Sequence, residues 1–129
     1  MSGQMTMNRV IHAAVRRDLA RLEAALRAAQ DGDLARARDL KRAYQNLHRE
    51  LTHHHEGEDT YIFPFLSKVG VPPDLLTAMD NEHEAMADAL TQTRSAMAAY
   101  ALSGSAGDAA SARASVVRTG AVVERHLSH

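Results

Sequence analysis

Seven consecutive residues, His53-His54-His55-Glu56-Gly57-Glu58-Asp59, carry three imidazoles and three carboxylates. Nitrogen and oxygen donors in that mixture suit iron, manganese or zinc, whereas calcium and magnesium prefer oxygen alone. On a helix, residues four apart share a face, so His54 and Glu58 can hold one ion between them. His55 and Asp59 form a second pair, turned by about 100°. The apolar residues decide which pair faces inward. Steps of three and four back from His54 meet Leu51, Leu47, Tyr44, Leu40 and Ala37, and steps forward through Glu58 meet Ile62 and Phe65. His54 and Glu58 are therefore expected on the core stripe, and His55 and Asp59 on a flank with His48 and Thr52.

Three more histidines fall on stripes of the same kind. His12 precedes Val15, Leu19, Leu22, Leu26 and Ala29; His83 sits within Leu76, Met79, Met86, Leu90, Thr93, Met97 and Tyr100; His126 follows Ala112, Val116, Thr119 and Val123. Each stripe has the 3.6-residue period of an amphipathic helix. The chain thus reads as one all-α domain over 1–129, an antiparallel up-down-up-down four-helix bundle. After a disordered lead, Met1 to Met7, with Thr6 or Asn8 as cap, the first helix is expected to reach Gln30. Asp31-Gly32-Asp33 is a tight turn, Gly32 supplying the left-handed stop and Asp33 the next cap. The second helix runs from Asp33 to about Val69 with a kink at Pro64 and stops at Gly70. Val71-Pro72-Pro73-Asp74 leads into the third, Leu102 to Asp108 is a flexible linker, and the fourth begins near Asp108.

Measured from the end where both short connections lie, His12, His54, His83 and His126 stand 18, 21, 20 and 18 residues away. At about 1.5 Å per residue, all four lie roughly 27 to 32 Å along the bundle. Imidazoles at one level of an apolar core leave donors and acceptors unsatisfied, at about 1–3 kcal/mol each; a metal ion removes that cost. His12, His54, Glu58, His83 and His126 form the candidate ligand set, with Glu82 and Glu56 as further carboxylates, enough for two ions bridged by Glu58. The next core position would be residue 130, so the fourth helix reads as cut short. A ferritin-type site needs two Glu-x-x-His pairs, and only Glu50-Leu51-Thr52-His53 fits, to one side of the stripe.

The chain has no cysteine, which removes disulfides, thiolate metal sites and cysteine nucleophiles. A net charge of -1 gives no electrostatic footprint for nucleic acid or anionic membrane. The arginines of the first fifty residues interleave with acids as on a solvated helix face. No apolar run reaches the roughly 18 residues of a membrane span, and the start lacks a signal peptide's apolar segment, so a cytoplasmic location is expected.

These residues resemble the hemerythrin-like, cation-binding helical bundles. The resemblance rests on His12 in Val10-Ile11-His12-Ala13; on His54 and Glu58, followed by Phe63-Pro64-Phe65-Leu66; on His83 in Asn81-Glu82-His83-Glu84; and on His126 in His126-Leu127-Ser128-His129. It implies a carboxylate- and oxo-bridged di-iron centre, manganese or zinc being alternatives, that binds dioxygen or a related small molecule. Family members are also proposed to sense or store oxygen or iron, or to act on peroxide or nitric oxide. Oxygen-carrying hemerythrins have a His-x-x-x-His pair on the third helix, where this chain has Met79 and Ala87 four residues from His83. Glu82 or solvent is a candidate substitute for that nitrogen. Oxygen binding is the preferred reading, with a dry pocket of Ile62, Met79, Met86 and Val123; an enzyme acting on peroxide or nitric oxide and a metal-ordered interaction module are the alternatives. Tyr61, one turn beyond Glu58, either supplies a proton or lies outside the centre.

Overall fold

A computed structural model of the chain describes residues 3–127. Its helices are α1 (Gly3–Arg27), α2 (Leu34–Gly57), α3 (Phe63–Lys68), α4 (Pro73–Ser103) and α5 (Ala106–Leu127), with a π turn over Glu58–Ile62 joining α2 to α3. The four long helices form an antiparallel bundle, in which α2 packs between α1 and α4, and α5 between α4 and α1. The stripes read from the sequence are its core. Val15, Leu19, Leu22 and Leu26 of α1 meet Leu40, Tyr44, Leu47 and Leu51 of α2, Met86, Leu90, Met97 and Tyr100 of α4, and Ala112, Val116 and Val123 of α5.

The two short connections clasp one another at one end. Gly32, in the left-handed region at φ 86°, donates its N–H to the Gly104 carbonyl at 2.7 Å. The Ala106 N–H, at the start of α5, donates to Asp31 Oδ1 at 2.8 Å, so the first hairpin caps a helix of the second. Asp33 caps α2 as expected, accepting from the Arg36 N–H at 3.0 Å. The histidines of both hairpins are thereby counted from a common origin.

Four expectations change. Helix α1 begins by Gly3, so the lead is shorter than Met1–Met7, and neither Thr6 nor Asn8 is its cap. The segment Leu102 to Asp108 is not a flexible linker: α4 continues to Ser103, Gly104 closes it at φ 64°, and the Ser105 hydroxyl accepts the Asp108 N–H at 3.0 Å. Its serines and glycines cap two helices. The break in the second helix precedes Pro64, as the π turn; proline has no N–H to close onto the carbonyl four residues earlier. An i→i+5 turn also holds one residue more than an α turn. The inward face therefore slips by one, leaving Phe65 60% exposed while Leu66 is half-buried.

Polar groups tie the helices where apolar packing leaves them buried. The Tyr44 hydroxyl donates to the Leu90 carbonyl at 2.6 Å, joining α2 to α4. Thr93 Oγ1 lies 2.7 Å from both Ser115 Oγ and Thr119 Oγ1, joining α4 to α5. On the surface Arg16 grips both oxygens of Glu124 at 2.9 Å, and Arg113 reaches Glu23 at 2.7 Å, both across the α1–α5 seam. Among the described residues, no helix is long and apolar enough to cross a membrane.

Candidate metal centre

Glu58 lies at the hub of the histidine cluster, at the first position of the π turn. Its Oε1 is 2.9 Å from His54 Nε2 and 3.8 Å from His126 Nε2, and its Oε2 is 3.5 Å from His83 Nε2. One carboxylate thus reaches imidazoles from α2, α4 and α5. Burial opposes its charge, but the contacts with His126, His54 and His83 outweigh burial and hold its carboxyl far below the usual carboxylate range. The Glu58 contact likewise raises His126 above the ordinary histidine value, burial acting against it.

The fourth histidine of the expected set, His12, stands edge-on to His54, with ring centroids 6.0 Å apart. It is half-buried, and burial followed by the neighbouring His54 lowers its pKa. His12, His54, Glu58, His83 and His126 are therefore brought to one region by α1, the end of α2, α4 and α5. They do not form one even shell, because His12 reaches the cluster through His54.

His55 departs from the expectation. Instead of lying on a flank, behind the ligands or at the surface, it is 9% exposed, and its ring stacks on His83 with centroids 4.6 Å apart and planes at 25°. His126 stands edge-on to it at 5.4 Å. Donor atoms of His55, Glu58, His83 and His126 all lie within 4.8 Å of one another. The physical reason is that α2 has two neighbours. His54 turns toward α1 and His12, whereas His55 turns toward α4, on the side where Tyr44 meets Leu90. A helix in a bundle presents an apolar face wider than a single row, and both residues follow Leu51 by a legitimate step, of three or of four. Two adjacent histidines at such a step were the available signal. Of the other residues assigned to that flank, His48 lies on the same seam, its Nδ1 3.4 Å from the Tyr44 hydroxyl, Thr52 is half-buried, and the Asp59 side chain lies outside the described residues.

Glu82 is paired with His126, its Oε2 3.2 Å from Nδ1. A carboxylate at Nδ1 orients the ring so that Nε2 faces Glu58, the arrangement found behind metal-bound histidines. Its place in the structure is thus behind His126. Glu56, Glu50 and His53 are exposed, and Tyr61 is 74% exposed, turned away from the cluster. Of the four residues expected to make a dry pocket, Met86 and Val123 are fully buried, while Ile62 and Met79 are half-buried.

Imidazoles and one charged carboxylate converging from three helices are the donor set of a transition-metal site. The family comparison agrees with that chemistry. Residues 8–129 match the model of the hemerythrin HHE cation-binding domain. The chain belongs to that family. Comparison with curated proteins and with solved structures gave no significant match. As an HHE domain the chain binds a metal cation, and its His/Glu cluster is where the donors are gathered.

Proposed function

We propose that this HHE domain is a non-heme di-iron protein that binds or senses dioxygen or a related small molecule. One observation carries the reading: the two oxygens of Glu58 face imidazoles of different helices, Oε1 toward His54 at 2.9 Å and Oε2 toward His83 at 3.5 Å. A carboxylate so placed suits two ions rather than one. The rings form two groups about it, His12 with His54 at 6.0 Å and His83 with His126 at 4.8 Å, and His126 Nε2 also lies 3.8 Å from Oε1. A pair of iron ions supplies one-electron redox chemistry and open positions for a diatomic ligand. The protein's own part is to gather and orient the donors and to limit water. Glu82 holds the ring of His126 in place through Nδ1, and Met86 and Val123 are fully buried in the core.

The test is reconstitution with ferrous iron in the absence of oxygen, followed by exposure to oxygen while the near-ultraviolet spectrum is recorded. Charge-transfer absorption that appears on exposure and is reversed by removing oxygen supports a binder or sensor. Absorption that decays with turnover of added peroxide or nitric oxide would make the domain an enzyme. No iron-dependent spectral change would overturn the di-iron reading.

A further inference from the structure

We propose that His55 is itself a metal ligand, completing with His83, His126 and Glu58 a three-imidazole position, and that this position binds its ion more tightly than the one between His12 and His54. The proposal rests on the cation-binding reading above and assigns unequal roles to the two sides of Glu58.

Geometry separates the two sides. The donor atoms of His55, His83, His126 and Glu58 fall within 4.8 Å of one another. Donors on opposite sides of an ion with bonds of about 2.0–2.1 Å lie about 4 Å apart, so a small inward movement of the side chains is enough. The His83 and His126 side chains are 7% and 9% exposed, and the three rings pack mutually, with centroids 4.6, 4.8 and 5.4 Å apart. These donors come from α2, α4 and α5, whose seams are tied by Tyr44 on Leu90 and by the Thr93 hydroxyl cluster. Glu82 already fixes the ring of His126. Little has to be ordered when an ion arrives, and pre-organised donors bind more tightly.

The other side is built differently. It offers two imidazoles, His12 and His54, whose centroids are 6.0 Å apart, and His12 is half-buried. The α1–α2 seam that it bridges carries a groove of about 600 Å³ lined by Ile11, Ala14, Val15, Leu22, Leu40 and Leu47 among others. An ion there must draw α1 and α2 together. It has fewer donors and more to order.

The test is titration of the metal-free protein with cobalt(II) under argon, reading the visible d–d absorption as a report of coordination. Wild type is expected to fill in two steps. His55→Leu, which keeps a side chain of similar bulk without the nitrogen, is expected to weaken the first step by about 100-fold or more, since loss even of an outer partner costs about 10–100-fold. His12→Leu is expected to remove the second step and leave the first. Circular dichroism of the metal-free variants reports their folding. Should His55→Leu fail to fold, His55→Ala with free imidazole in solution replaces it, and recovery of the first-step band on adding imidazole supports the ligand assignment. A folded His55→Leu, or a His55→Ala without imidazole, that titrates like wild type would leave His55 as a stacked core residue and overturn this proposal alone. Absence of cobalt binding by wild type would overturn the cation-binding reading with it.

Discussion

At the scale of residues, the centre separates histidines of one short segment by where α2 turns them. His53 is exposed, His54 meets His12 and Glu58, and His55 stacks on His83. His54→Ala is therefore expected to lose the ion held beside His12 and to keep the one at His55, His83 and His126, measured by equilibrium dialysis, whereas His48→Ala, whose ring lies 3.4 Å from the Tyr44 hydroxyl outside both positions, is expected to retain both. Equal loss in both variants would mean that the helical phase is wrong. Glu82→Ala removes the partner of His126 Nδ1. It is expected to weaken metal binding by about 10–100-fold without unfolding the bundle, as loss of a carboxylate behind a ligating histidine does. In the metal-free protein, burial followed by the charge of His83 pushes His55 down to about 4. An unfolded histidine titrates near 6.5, so the folded state resists the proton. The stability that this protects is complete above about pH 6.5 and is lost as pH falls toward 4. Urea unfolding in the presence of a chelator is expected to show that loss, and His55→Leu is expected to reduce it; an unchanged pH profile would remove His55 from the account.

At the scale of elements, the same rule that made the helices legible explains what was missed. A stripe in threes and fours locates a helix and its inward direction, and the core residues of α1, α4 and α5 follow it throughout. It does not say how wide the buried face is, which depends on neighbours far away in sequence; hence the stripe alone places His55 on a flank, although Leu51 leads to it as directly as to His54. Nor does it register a change of helix type. The π turn at Glu58–Ile62 slips the face by one residue and turns Phe65 outward. The segment Leu102 to Asp108 was misjudged for another reason: serine, glycine and aspartate serve flexible loops and helix caps alike, and only the partners of Gly104 and Ser105 distinguish them. Gly104 tests the clasp. It sits at φ 64°, and a Cβ there would come within 3.1 Å of the Leu34 side chain and 3.3 Å of its backbone nitrogen. Gly104→Ala is expected to cost about 1–2 kcal/mol from the left-handed backbone alone. Calorimetry should record a lower Tm, by about 5 °C for a domain of this size; an unchanged Tm would mean that the clasp does not hold the hairpins in register.

At the scale of the whole molecule, each long helix contributes at least one imidazole to the region around Glu58, so metal and fold are thermodynamically linked. An ion that binds the folded chain alone, at 100 times its Kd, adds about 2.7 kcal/mol of stability, or on the order of 10 °C in Tm. The α1–α2 seam, open along its groove, is expected to gain most, and hydrogen exchange of α1 amides should slow more on metal addition than that of α4. Equal slowing, or more in α4, would mean that the ion does not draw α1 onto α2. The central claim is that one carboxylate, Glu58, organises a two-ion centre. Its most direct measurement is iron per chain after anaerobic reconstitution, by plasma mass spectrometry, for wild type and Glu58→Ala side by side. About two irons per chain in wild type, the stoichiometry of di-iron bundles, and almost none in a folded Glu58→Ala are expected. Undiminished iron in Glu58→Ala, or none in wild type, would contradict the account.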